Sequence, residues 1–265
     1  MLSCPFRTQA LQIRDQGLEL GHAVDGCRGA GNVLIAVGMA EAAQGPHPVL
    51  DHLPVDDIPS YTMEIGHPRL VSPVFFRHLG TLIESLTFEM GQEGPANARL
   101  QLVAQGEEQF TATVDASPEA FSLRRFSQGR GFIRRGGQPL AGVTGGSLTF
   151  SNNLERVRVI REDGRIEAAD PTFASAEGSM AVRFDGATLV AEAANGDPVA
   201  LEYGFSFVDG YGLRFELPRV FLPKPKYSVT GPGGVEASFD WRAAFEDSEG
   251  TMLRVHLLND VASYT

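Results

Sequence analysis

From about Thr81 to the C-terminus, apolar and polar residues alternate in short stretches. Leu86, Phe88 and Met90 alternate with Thr87 and Glu89, and Ala98, Leu100, Leu102 and Ala104 alternate with Arg99, Gln101 and Val103. Ser147, Thr149 and Ser151 alternate with Leu148 and Phe150, and Met180, Val182 and Phe184 with Ala181 and Arg183. A period of two sends successive side chains to opposite faces of a strand. The pattern predicts an all-β protein whose sheets have one core face and one wet, polar face.

The elements follow from where the alternation breaks. Residues 61–65 and 75–76 are the weaker strand signals. Strands over 82–90 and 97–105 flank Gly91-Gln92-Glu93-Gly94-Pro95, a hairpin loop by composition. Residues 106–128 read as irregular. Residues 132–135 and 139–143 flank Gly136-Gly137 as a second hairpin. The strand ending at Phe150 stops at Asn152-Asn153, a charged loop spans 155–175, and 178–184 is the next strand. Residues 187–194, closed by Asn195-Gly196, are the one helix predicted. Alternation then resumes through Val199, Leu201, Tyr203, Phe205 and Phe207, through Leu213, Phe215 and Leu217, and through Val235, Ala237, Phe239 and Trp241. Turns are expected over 224–226 and 231–234, and 252–258 closes the fold. The sum is two antiparallel sheets packed face to face, a β-sandwich with one short helix covering an end.

Residues 1–60 read differently. Residues 8–20 are polar with scattered aliphatics, 26–31 form a Gly-rich turn, and 32–43 fit either a strand or a short helix. Pro46, Pro48, Pro54 and Pro59 make 45–59 an extended connector. The expected division is an N-terminal arm over 1–60, packed on another surface such as a neighbouring chain, and one sandwich domain over 61–265.

The chain has 265 residues and a formal net charge of −11, which argues against gripping nucleic acid through its phosphates. An acidic wall still lets nucleic acid pass. Cys4 and Cys27 are the only cysteines. No disulfide framework follows from them, and reduced thiols in a cytosol-made protein are expected. Residues 1–17 carry charged and polar side chains where a signal peptide needs an apolar stretch. The most apolar run, 33–40, is too short to span a bilayer. The expectation is a soluble protein with no membrane partner.

Little of the chemistry of an enzyme is present. Gly26–Gly31 lacks the Lys-Ser/Thr of a phosphate-binding loop, and no Gly-x-Ser-x-Gly elbow occurs. His47, Asp51 and His52 have no second pair at metal-ligand spacing, so surface histidines in a connector explain them. No cofactor, metal or catalytic residue is expected. One charge anomaly stands out: between Glu119 and Glu155 there is no acidic residue, while Arg124, Arg125, Arg130, Arg134 and Arg135 all fall there. The stretch is either a solvated loop or a contact with an acidic partner surface. Against another copy of this acidic chain it becomes a head-to-tail device.

Phe76-Arg77-His78-Leu79-Gly80 leading into the 82–90 strand, residues 131–138, Val143-Thr144-Gly145-Gly146-Ser147-Leu148-Thr149-Phe150-Ser151-Asn152-Asn153, and Gly178-Ser179-Met180-Ala181-Val182-Arg183-Phe184 before the short helix resemble, in order and wording, the tail tube proteins of long-tailed bacteriophages. The resemblance covers roughly residues 61–245. It implies a structural virion protein, made in the host cytoplasm and resident in the tail. It further implies hexameric rings stacked head to tail, a tape-measure protein inside the tube, and terminator and distal tail proteins at its ends. DNA would pass during ejection without sequence-specific binding.

An open four-stranded sheet exposes two edges, and pairing copies edge to edge removes them. Six such sheets would close a barrel wider than the porins of roughly 16–18 strands. Parity then names the lumen candidates: Ser85, Thr87, Glu89, Asn97, Arg99, Gln101, Ser147, Thr149, Ser151, Ser179 and Arg183. The second sheet is expected outside, with Val199, Tyr203, Phe215, Phe239 and Trp241 packed against the inner one. The rival readings are a virion decoration or receptor-binding sandwich, which would expose an aromatic platform, and a carbohydrate-active sandwich, which would face two carboxylates into one cleft.

Overall fold

The computed structural model describes residues 10–15, 18–20, 39–44, 49–54, 58–116, 125–183, 188–207, 210–229 and 235–258. The strands are β1 (Ala10–Asp15), β2 (Leu18–Leu20), β3 (Met39–Gln44), β4 (Val49–Pro54), β5 (Tyr61–His67), β6 (Val74–Met90), β7 (Asn97–Val103), β8 (Gly106–Phe110), β9 (Gly131–Arg135) and β10 (Gln138–Pro139). They continue with β11 (Val143–Ser151), β12 (Glu155–Val157), β13 (Ala168–Asp170), β14 (Ser175–Arg183), β15 (Val199–Ser206), β16 (Gly212–Phe221), β17 (Lys226–Val229), β18 (Val235–Ala243) and β19 (Arg254–Leu258). One helix, α1 (Thr188–Asn195), is described.

Two antiparallel sheets make the sandwich. The first runs β7-β6-β11-β14-β18, with β17 paired to the first half of β18. The second runs β10-β9-β15-β16-β19-β4-β3. They meet at a corner, where Val220 and Phe221 at the end of β16 pair with Ala243 and Arg242 of β18. The expectation of two packed sheets and one short helix holds.

The assignment of β18 differs from the sequence reading. Phe239 and Trp241 stand not in the second sheet but in the first, as a fifth strand beside β14. Alternation fixes which way a side chain points but not which strand lies next door, and the two assignments have the same parity.

The core lies between the sheets. Leu86, Leu148, Phe150, Met180, Phe239 and Trp241 of the first sheet are almost fully buried against Leu201, Tyr203, Phe205, Leu213, Phe215 and Val255 of the second. Phe88 meets Phe215 at 4.7 Å between ring centroids. Val182 is buried as expected, whereas Leu100 and Leu102 are half-buried because β7 is an edge strand. Phe184 lies outside the described residues. Ala193 brings α1 into the same core. Gly178 is dictated by a close approach: a Cβ there would meet the Ser147 carbonyl oxygen at 2.0 Å and the Trp241 ring at 2.6 Å.

A smaller sheet continues from the first. The N-terminal half of β6 pairs with β5 and β8, and β1 joins β5 in parallel with β2 beyond it. The long β6 therefore serves both sheets, with Gly80 at φ 57 and a register shift between Ile83 and Ser85 at the transition. Residues 61–65 and 75–76 thus belong to full strands, and 106–110, read as irregular, is β8. The 155–175 loop holds a small β12–β13 hairpin. The 224–226 turn opens into β17, and 49–54, inside the Pro-rich connector, pairs as β4.

Candidate functional site: a polar sheet face

The register of the first sheet places the polar side chains in cross-strand rows. One row is Gln101, Ser85, Ser151 and Ser175, and the next is Arg99, Thr87, Thr149, Glu177 and Arg242. A third is Asn97, Glu89, Ser147, Ser179 and Asp240. Arg183 stands opposite Glu236 two rows further on, past Ala181 and Ser238. The face opposite the core therefore gathers Ser85, Thr87, Glu89, Asn97, Arg99, Gln101, Ser147, Thr149, Ser151, Ser179 and Arg183, every residue that parity nominated. Ser175, Glu177, Glu236, Ser238, Asp240 and Arg242 join them. Their signal lies in the alternation of 235–242, a pattern that does not say which sheet the strand joins.

Small hydroxyls on this face satisfy one another. Thr87 and Thr149 share a hydrogen bond at 2.9 Å, as do Ser147 and Ser179, and Ser85 donates to the Gln101 side-chain oxygen at 3.1 Å. Such cross-strand pairs stabilise the sheet and leave few free donors. The charges are compensated in the same way. Arg242 lies 3.4 Å from Glu177, and Thr144 donates to the Glu236 carboxylate. Arg99 sits on the edge strand, exposed.

The ends of the face are built by side-chain caps. At one end β11 stops because Asn153 adopts φ 47, where Asn is tolerated, while Asn152 turns inward and donates to the Ile83 carbonyl at 3.0 Å. Asn153 in turn donates to the Phe173 carbonyl at 2.8 Å and to Ser175. At the other end buried Gln128 donates to the Glu89 carbonyl at 2.9 Å and accepts from the Gly91 N–H at 3.0 Å. Sequence reading passed over Gln128, whose role depends on a partner 39 residues away.

The arginine stretch is divided by the fold. Arg124 lies outside the described residues. Arg125 and Arg130 are exposed around a 3-10 turn beside the 91–95 loop, tied by Ala96 N–H to the Phe126 carbonyl and Gln128 N–H to the Gly94 carbonyl. Arg134 and Arg135 stand on β9, in the second sheet. Arg134 faces a carboxylate of its own chain: Glu202 lies between Arg134 and Arg214, each at 3.6 Å. Arg134 also covers the Phe132 ring at 4.4 Å.

A buried ion pair fixes the smaller sheet. Glu64 is 1 % exposed and opposes Arg77 across β5 and β6, with Arg77 Nε donating at 2.8 Å. Thr113 Oγ1 donates at 2.6 Å and the Val114 N–H at 3.0 Å to the same carboxylate. Arg77 also donates to the Ala112 carbonyl at 3.0 Å and lies over the Phe110 ring at 3.8 Å. Burial pushes the Glu64 carboxyl up, but the hydrogen bonds from Thr113, Arg77 and Val114 together outweigh it and hold it below the usual carboxylate range.

Among the described residues no group of three or more His, Cys, Asp or Glu is placed to hold a metal, and no helix is long and apolar enough to cross a membrane. The architecture defines an all-β sandwich protein with one broad, self-satisfied polar face. The chain belongs to the phage tail tube protein family, whose model matches residues 11–243. It is thus a structural component of the virion tail that self-assembles into a tube. No curated protein matches the chain.

Proposed function

We propose that the chain closes into six-fold rings, stacked head to tail, whose channel is walled by the polar face of the first sheet and carries phage DNA during ejection. The observation that supports this most is the convergence of Thr87, Thr149, Ser147, Ser179 and their neighbours on one face of a five-stranded sheet. Among the described residues the outer edges of β7 and β17 have no strand partner, and pairing one copy's β7 with the next copy's β17 side would cover both. The expected arm over residues 1–60 does not lie wholly on a neighbouring chain, because its strands β1 to β4 pair directly or through one another with β5 and β19 of their own chain.

Conduction asks the wall to avoid holding phosphate. Hydroxyls bonded to one another and arginines set beside carboxylates offer DNA few free cations among the described residues, exposed Arg99 and Arg183 being the exceptions. The tape-measure protein would occupy the same channel before ejection, and terminator and distal tail proteins would close the tube's ends. Electron micrographs and mass measurement of the purified protein at high concentration test the reading. Six-fold rings and tubes are expected, and a monomer at every concentration and salt would overturn it.

A further inference from the structure

Three adjacent segments join the sandwich to the smaller sheet, and each is irregular at the same level. On β6 the crossing point is Gly80, whose φ of 57 few side chains adopt. On β5 the register slips between Tyr61 and Met63, the partners of Thr81 and His78. Beside them β7 ends at Val103 and β8 begins at Gly106, the partner of Leu79. Neither apolar core continues past this line. Tyr61 and Leu82 stand at its edge and pack on the cores, whereas among the described residues no side chain from 62–79 or 106–110 belongs to either. Met63 is buried but joins neither core.

Two long polar side chains lie across the line instead. Gln105 covers Gly80, where an added Cβ would meet its side-chain oxygen at 2.5 Å. Arg165, from the loop between β12 and β13, covers Gly106, where an added Cβ would meet its Cγ at 2.7 Å. The same two residues tie the bodies together. The Gln105 side chain donates to the Glu167 carbonyl at 3.0 Å, and its own carbonyl accepts from the Ile166 N–H at 3.1 Å. Arg165 donates to the Glu108 carboxylate of β8. Thr81 adds a bond to the His78 carbonyl at 3.0 Å. The β12–β13 hairpin is itself rooted in the sandwich, because Leu154 and Ala169 pack with Val103 of β7. It reaches the smaller sheet through groups that water also reaches: Gln105 is exposed, and the Arg165 and Glu108 side chains are 32 and 42 % exposed.

We propose that the smaller sheet is a separate body that pivots about Gly80, and that Gln105 and Arg165 form a clasp holding it at one angle to the sandwich. A close-packed core resists displacement, because a small shift opens voids, whereas exposed hydrogen bonds and ion pairs exchange for water at little cost. A hinge is a few residues at element ends that absorb the change in φ and ψ, and glycine does so most readily. The two glycines also let the clasp lie directly on the backbone, where a Cβ would lift it off. With the clasp open, the β5–β6 turn swings relative to Thr87 and Thr149 while the sandwich core stays packed. This movement belongs to the single chain and needs no ring.

The test is the full chain with Cys4→Ser and Cys27→Ser, spin-labelled through Ser72→Cys and Asn97→Cys, one exposed site in each body. Diluted with unlabelled protein, it gives the distance between the bodies by electron–electron double resonance. Adding Gln105→Ala and Arg165→Ala should broaden the distribution into distances absent from the labelled parent, with the thermal midpoint unmoved. Gly106→Ala, whose new Cβ meets the Arg165 side chain first, should match Arg165→Ala and add nothing to it. Equally narrow distributions in parent and clasp variant would overturn the proposal, since backbone pairing alone would then fix the angle. A parent as broad as the variant would overturn it too. So would a fall in the thermal midpoint, which would make the clasp part of the sandwich's own stability.

Discussion

Trp241 donates its indole N–H to the Tyr203 hydroxyl at 2.6 Å, a bond that crosses the sandwich from β18 to β15. Both side chains are 1 % exposed, and the Tyr203 hydroxyl in turn reaches the Ser179 carbonyl at 3.4 Å. Burial pushes the Tyr203 phenol well above its ordinary value. Tyr203→Phe should therefore cost roughly 1–3 kcal/mol, because it strands a buried indole donor. Trp241→Phe should cost more, since it also empties volume against Gly178. Equilibrium denaturation checks the order.

The half-burial of the edge strand gives a graded prediction. Leu148→Ala, at a 1 % exposed site, should cost about 2–5 kcal/mol. Leu102→Ala on β7 should cost clearly less in the isolated chain, because its site is open on one side. Denaturant midpoints of the two variants decide it.

The Glu64–Arg77 pair predicts a local response to acid. The folded carboxyl lies below its unfolded value, so its stabilisation is present above the ordinary carboxylate range, about pH 4.3, and is lost as pH falls through the folded value. The protection factor of the Val114 amide, taken relative to its intrinsic exchange rate, should fall below that range in the wild type. Glu64→Gln should exchange faster at neutral pH and show a flatter profile. Glu64→Leu, which leaves Arg77 without its partner, should cost roughly 3–5 kcal/mol.

For the channel, Thr149→Lys should leave assembly nearly intact, since Thr149 points away from the core. It adds a cation in the middle of the polar face, where, if that face lines the channel, each phosphate contact would slow DNA. Slower ejection, deepening as Thr87→Lys is added, is expected. Unchanged infectivity with several such lysines would place the channel on another face.

Charge reversal in the arginine stretch should separate into two effects. Arg134→Glu sets like charge beside Glu202 and should lower the stability of the single chain. Arg125→Glu with Arg130→Glu should leave the fold alone and weaken ring stacking modestly, each exposed pair being worth about 0–1 kcal/mol. That loss should be mimicked by raising salt on the wild type, because screening acts within about 8–10 Å.

How much of this was legible follows from what alternation encodes. Leu86 and Phe88, or Leu148 and Phe150, announce both strand and facing, and the polar face was readable from Thr87 and Thr149 outward. The neighbour of β18 was not readable, because Phe239 opposes Met180 through a pairing that no local pattern records. Nor was β8, whose Gly-Glu-Glu-Gln-Phe has no apolar alternation to show. Arg134 looked free because Glu202 lies far along the chain and only the register brings them together.

The long β6 has a mechanical consequence. Hydrogen-bonded strands slide or peel under load, but a covalent backbone does not. The chain that leaves the β5–β6 turn beside Val74 is the same one that carries Thr87 and Glu89. Tension applied at that turn thus reaches the polar face along peptide bonds, through the irregular point at Gly80 and the register shift before Ser85. In a tail that bends, the strand would act as a tie rod joining the β5–β6 turn of a subunit to its polar sheet face.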